Sequence, residues 1–94
     1  MRTDVHVRLG QVVATPGALA YLGSVGVTAA SLLYRHAKGD WGDLSADDKK
    51  CNDDALEPGN EARLLSAYQV GDEKVWVITE WDRSVTTVLM PDEY

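Results

Sequence analysis

The last third of the chain constrains the fold most tightly, because three short β-like segments follow one another with only tight turns between them. The three predicted strands cover residues 63–70, 74–80 and 85–90. Gly71-Asp72 and residues 81–84 form the turns, and Pro91 ends the third strand. Strands joined by such short turns pair antiparallel, since a parallel pair needs a crossover of roughly a dozen residues or more. This region therefore predicts a three-stranded antiparallel meander.

The middle strand of the meander is apolar on both sides. Trp76 and Ile78 share one face and Val75 and Val77 share the other, because side chains alternate along a strand. We expect only one of these two pairs to face the helices of the fold.

The first third predicts a strand followed by a helix. Apolar and polar residues alternate over 5–9, which predicts a half-buried strand that continues through Val13. Thr15-Pro16 then places a hydroxyl N-cap before a proline at the first helical position. This helix is expected to end near Gly23 or Gly26.

Two further helices are predicted in the middle of the chain. Thr28 caps the first, which places Leu32, Leu33 and His36 on one face and ends near Gly39. The second covers about 46–56 after the N-cap Ser45, is acidic, and ends at Pro58-Gly59. Its few apolar residues predict a surface helix, and they are Leu44, Cys51, Ala55 and Leu56.

Together these elements predict an α+β fold, with two or three helices packed on one face of a small antiparallel sheet that ends in the meander. Residues 1–94 are enough for a single domain. No apolar run approaches the roughly 20 residues that span a bilayer, and the first residues do not resemble a signal peptide. Cys51 is the single cysteine, which is typical of a reducing compartment. We therefore expect a cytoplasmic protein that does not associate with membranes.

The net charge is concentrated in one segment, residues 39–61. Its eight acids and two lysines account for the whole net charge of −6, while the rest of the chain holds equal numbers of acids and bases. One interpretation is a solvated surface that maintains solubility. The other is a contact surface for a basic partner, since an acidic surface attracts positive charge. The acids are Asp40, Asp43, Asp47, Asp48, Asp53, Asp54, Glu57 and Glu61.

Most catalytic and ligand-binding motifs are absent from the sequence. The single cysteine and two histidines 30 residues apart form no zinc pattern, and the aspartates do not match a calcium-binding loop. The glycines form no phosphate-binding motif. Neither a metal nor a cofactor is expected.

His36 is the candidate general acid or base in the middle of the fold. A metal-independent ribonuclease needs such a group, a second proton donor and cations that stabilise the charged transition state. The competing interpretation is that His36 packs in the core beneath Leu32 and Leu33. The residues of the ribonuclease hypothesis are His36, Arg35, Tyr68, Arg83 and Thr86.

Residues 15–38 also imitate a helix-turn-helix, a spacing common to any pair of adjacent helices. Only Arg35, His36 and Lys38 would face DNA, and the acidic segment follows directly. No direct DNA binding is therefore expected.

Three segments carry a recognisable pattern, and they read GDWGDL at 39–44, LLSAY at 64–68 and WVITEWDRSVTTVLMPDEY at 76–94. They resemble a group of small uncharacterised proteins, about 100 residues long, of bacterial plasmids, prophages and integrative elements. A more distant, architectural resemblance is to the barnase–EndoU–colicin–RelE-like nucleases, which place helices before an antiparallel meander. Their RNA-binding grooves are usually positive, and this chain is acidic.

Two functions remain open at this point. The first is a small accessory protein of a mobile genetic element that binds and inhibits a host complex acting in defence or on nucleic acid. It would use the acidic segment against a basic protein surface. The second is a toxin-like ribonuclease that uses His36. The contact residues of the first hypothesis are Asp40, Trp41, Asp43, Asp47, Asp48, Asp53, Asp54 and Glu57.

Overall fold

The computed structural model describes residues 6–94, which form three helices and one four-stranded sheet. The α+β class and the C-terminal meander are confirmed. The elements are β1 (Gln11–Ala14), α1 (Pro16–Val25), α2 (Ala29–Ala37), α3 (Ala46–Ala55), β2 (Leu64–Val70), β3 (Glu73–Thr79), β4 (Val85–Leu89) and a short 3-10 turn, Pro91–Glu93.

The sheet is mixed, with the strand order β1-β4-β3-β2. The meander pairs antiparallel as predicted, with Val77 of β3 opposite Ser66 of β2 and Val88 of β4. β1 pairs parallel with β4, which corrects the expectation of a wholly antiparallel sheet. All three helices and two strands lie between β1 and β4 in the sequence, so the connection is long enough for a parallel pair.

The first strand is shorter than the alternation predicted. Residue 5 lies outside the described residues, and residues 6–10 are not a strand. Gly10 adopts a left-handed φ of 63°, and a Cβ there would lie 2.3 Å from the backbone oxygen of Ser84. The Val7 N–H donates to the carbonyl of Ala37 instead of to the sheet. The chain thus turns at Gly10, and residues before it pack beside the end of α2.

All three predicted hydroxyl N-caps are confirmed, because each side chain accepts a hydrogen bond from a backbone N–H of the first turn. α1 ends at Gly26, with a φ of 72°, and not at Gly23. Gly39 follows the end of α2 with a φ of 81°, as a helix stop requires. Among the helices of residues 6–94, none is by itself long and apolar enough to cross a membrane. α1 and α2 meet that criterion only as a pair, bent by 105°.

The main core lies between the helices and one face of the sheet. Val75 and Val77 are fully buried there, so they are the inward pair of β3, and Trp76 lies on the opposite face. The core packs sheet residues against helix residues, and its buried members are Ala18, Leu22, Leu32, Tyr68, Val70, Val75, Val77 and Val88.

Val77→Ala is expected to lower the free energy of unfolding by about 2 kcal/mol or more, because it leaves a cavity in the centre of this core. Val25→Ala is the matched control, since Val25 is 41% exposed. Denaturant unfolding of both variants measures the difference. Equal stabilities would contradict the assignment of the inward face.

Candidate functional site

His36 lies at the centre of a buried polar cluster that joins α2 to three strands. Its imidazole is fully buried. The Nδ1 atom lies 2.6 Å from the Ser66 hydroxyl oxygen, and Nε2 lies 2.9 Å from the Thr79 hydroxyl oxygen. Thr79 in turn contacts Thr86 at 2.7 Å. His36 is therefore a core residue, as the second interpretation of the sequence predicted.

The hydrogen bonds of this cluster have a single consistent direction. The Thr86 hydroxyl donates to the carbonyl of Leu9 at 2.7 Å, so its oxygen accepts from Thr79. Thr79 has then used its only proton, and its oxygen must accept from Nε2–H of His36. In the neutral imidazole, Nδ1 is then the acceptor and receives the Ser66 hydroxyl proton. Both nitrogens of His36 are therefore paired inside the cluster.

The pKa of His36 supports the neutral form. Burial, with a smaller contribution from the positive charge of Arg83, lowers this pKa to about 4. A general base must also reach the proton that it removes. Because the imidazole is enclosed and both nitrogens are occupied, His36 is not placed to remove a proton from a substrate in this arrangement.

Trp41 closes this cluster from the side. It is 4% exposed, and its ring meets that of His36 edge to face at 5.7 Å. Its Nε1–H donates to a carboxylate oxygen of Asp53 at 2.9 Å. The sequence predicted Trp41 as a partner contact, but its side chain is buried, and Asp53 is half-buried beside it. Trp41 and Asp53 thus attach the acidic segment to the core. Trp81, in the turn between β3 and β4, is by contrast exposed.

Arg35 and Tyr68 lie together, with the Arg35 side chain exposed and the Tyr68 ring buried. The Arg35 guanidinium stacks over the Tyr68 ring at 4.4 Å and pairs with Asp40 at 2.7 Å. The hydrogen bond with Asp40 raises the pKa of Arg35, and burial raises the pKa of Tyr68 to about 12. The Tyr68 hydroxyl donates to the Asp40 carbonyl. These residues line an open depression of about 400 Å³ in which the cation is already neutralised.

Arg83 stabilises the turn between β3 and β4. It has a left-handed φ of 61°, and its Nη1 donates to the carbonyls of Ala62, Glu80 and Trp81. Its Nη2 donates to the carbonyl of Ala55 at the end of α3. The guanidinium is therefore engaged with the backbone. The ribonuclease residues are thus divided between a buried cluster, a surface depression and a structural turn.

α3 is held against the sheet by a residue that the sequence did not single out. The Asn52 side chain accepts from the Leu65 N–H and donates to the Leu65 carbonyl, at 3.2 and 2.7 Å. Asn52 is buried, whereas Cys51 is exposed, which corrects the predicted apolar face. The available signal was the spacing of Asn52 from Ala55 and Leu56, three and four residues later.

Six of the eight acids of the segment 39–61 fall into two groups, whereas Asp53 binds Trp41 and Glu61 accepts a hydrogen bond from the Gly59 N–H. Asp40 and Asp43 pair with Arg35 and Lys74, at 2.7 and 3.7 Å. The second group, which we call the acidic surface, is exposed on α3 and just beyond its end. Asp54 pairs there with Lys50 at 2.9 Å, while the others form no ion pair within residues 6–94. The acidic surface comprises Asp47, Asp48, Asp54 and Glu57.

The described part of the chain contains no group of three or more His, Cys, Asp or Glu side chains placed to hold a metal ion. No protein-family model, curated protein or solved structure matches this chain.

Proposed function

We propose that this chain is a protein-binding domain whose acidic surface docks on a basic protein surface. The observation that carries the proposal is the anchoring of α3, a helix with few apolar residues of its own. Asn52 binds the edge of β2, Trp41 binds Asp53, and Arg83 binds the last turn of the helix. A helix held in this way presents its carboxylates in a fixed arrangement, which lowers the entropic cost of recognition.

The geometry of α3 supports one continuous binding face. Asp47 and Asp54 are seven residues apart and lie on the same side of the helix, away from the buried Asn52. Glu57 follows at the C-terminal end. A face of this kind favours fast, salt-sensitive association with positive charge.

The resemblance to proteins of plasmids, prophages and integrative elements suggests the partner class. We infer that the chain is an accessory protein of a mobile element, and that its partner is a host complex with a basic nucleic-acid-binding groove. Occupation of that groove by carboxylates would inhibit the complex. The ribonuclease hypothesis has less support, because His36 is enclosed and Arg35 is already paired.

The double variant Asp47→Lys/Glu57→Lys is expected to weaken binding to a basic partner by at least about tenfold. Its stability should change little, since a lysine is unfavourable at the start of a helix and favourable at its end. The partner is first recovered from nuclease-treated bacterial lysate on the immobilised chain and purified. Titration calorimetry against salt then measures the affinity.

The matched control is Asp72→Lys/Glu73→Lys, which makes the same change in net charge at the turn between β2 and β3. This control should retain most of the affinity. If both double variants bind equally well, or if wild-type affinity is indifferent to salt, the acidic surface is not the contact.

A further inference from the structure

The two edges of the sheet differ in how their backbone groups are used. At the outer edge of β2, both backbone groups of Leu65 bind the Asn52 amide. The Ala67 N–H donates to the Trp41 carbonyl at 3.1 Å, and the Ala67 carbonyl accepts from Asp43 at 2.6 Å. This edge is therefore closed by the chain itself.

The outer edge of β1 is open within the described residues. Gln11 and Thr15 donate their N–H groups to the carbonyls of Ser84 and Val88, at 2.9 and 3.0 Å. Successive residues of a strand direct their N–H and C=O groups to opposite sides, so those of Val12 and Ala14 point away from β4. Within residues 6–94, no strand pairs with this edge.

The composition of β1 favours pairing with another strand. Proteins usually protect an exposed edge with charges, prolines or bulges. β1 reads Gln-Val-Val-Ala and contains none of these, although 26% of the whole chain is charged. Val12 and Val13 are 45% and 39% exposed. The open edge therefore presents both unpaired backbone groups and apolar side chains.

We propose that β1 pairs antiparallel with β1 of a second copy of this chain, across a two-fold axis at Val13. Val12 of each copy then lies opposite Ala14 of the other, and the two pairs exchange about four backbone hydrogen bonds. Two four-stranded sheets become one eight-stranded sheet.

The charge distribution is compatible with this occupant. α3 contacts β2, at the opposite edge of the sheet from β1. In the dimer the two acidic surfaces are separated by the width of eight strands, roughly 35 Å. This distance is several times the Debye length of about 8 Å at physiological salt, so their mutual repulsion is screened. The neutral edge offers no comparable attraction to a charged peptide.

Sedimentation equilibrium over a range of concentrations tests the dimer. The wild type should dimerise reversibly, and Val13→Lys should weaken dimerisation by at least about tenfold, because two lysines then lie opposite each other. Val25→Lys is the matched control, since Val25 is similarly exposed but lies beside Gly71 at the β2–β3 turn. It should dimerise as the wild type does.

Amide hydrogen exchange of the wild type supplies a readout that requires no variant. The N–H groups of Val12 and Ala14 should exchange more slowly at concentrations where the dimer forms than in dilute solution. A wild type that is monomeric at every concentration overturns the proposal. So does a dimer in which these two amides gain no protection, or one that Val13→Lys leaves intact. Neither measurement uses the basic partner, so failure here leaves the proposed function standing.

Discussion

His36→Ala is expected to lower the free energy of unfolding by about 3–5 kcal/mol. The substitution leaves a cavity in the core and removes the hydrogen bonds to Ser66 and Thr79. A domain of this size has a total stability of about 5–15 kcal/mol, so much of it would be lost. His36→Gln should cost less, because an amide supplies both an acceptor and a donor. Chemical denaturation of the wild type, His36→Ala and His36→Gln measures the order of their stabilities. A near-native stability for His36→Ala would contradict the structural role.

The same residue makes stability depend on pH. Because the pKa of His36 is lowered to about 4 in the fold, from about 6.5 in the unfolded chain, the unfolded chain binds the proton more readily. The contribution of neutral His36 is complete above pH 6.5 and is lost as pH falls to about 4. The loss is about 3 kcal/mol. His36→Gln should remove this part of the pH dependence, and an unchanged profile would show that His36 does not cause it.

Trp41→Ala is expected to destabilise the fold by about 3–5 kcal/mol, the usual cost of removing a buried tryptophan. The ring packs on His36, and its Nε1–H binds Asp53, so the loss also releases the acidic segment from the core. Trp81→Ala is the matched control, because Trp81 is also in a connecting segment but is 63% exposed. It should change stability by less than about 1 kcal/mol.

Two outcomes count against this prediction. Equal melting temperatures for Trp41→Ala and Trp81→Ala would show that Trp41 is not part of the core. A destabilised Trp41→Ala in which α3 keeps its native amide protection would show that the acidic segment is anchored independently of this residue.

Local physics made part of the fold predictable. The meander follows from strands joined by turns too short for any other pairing. The helix starts at Thr15, Thr28 and Ser45 follow from hydroxyls that satisfy the first free N–H groups. His36 was placed beside Leu32 by helical periodicity alone.

Long-range contacts explain what was not predicted. The parallel pairing of β1 depends on β4, more than 70 residues away, and on the turn at Gly10. The role of Asn52 depends on the edge of β2 lying beside α3. Arg83 resembles a free cation in sequence, and only the folded chain surrounds it with backbone carbonyls. A local pattern contains no information on these partners.

In the acidic segment, too, the sequence predicted the local property but not the contacts that depend on the fold. Its charge was evident from composition, but its eight acids have different roles in the fold. Asp53 supports Trp41, and Asp40 neutralises Arg35. Asp47 and Asp54 remain exposed on the outer side of α3, Asp48 is exposed in its first turn, and Glu57 follows its end. The difference depends on which basic and polar groups the fold brings near each carboxylate.

The most direct test of the account is the dissociation constant of the purified basic partner, measured by calorimetry at one salt concentration. The titrations compare the wild type, His36→Gln and Asp47→Lys/Glu57→Lys. If binding belongs to the acidic surface and His36 only supports the fold, folded His36→Gln should bind like the wild type. The charge reversal should weaken binding by at least about tenfold. Loss of binding in His36→Gln, with full binding in the charge reversal, would contradict the account.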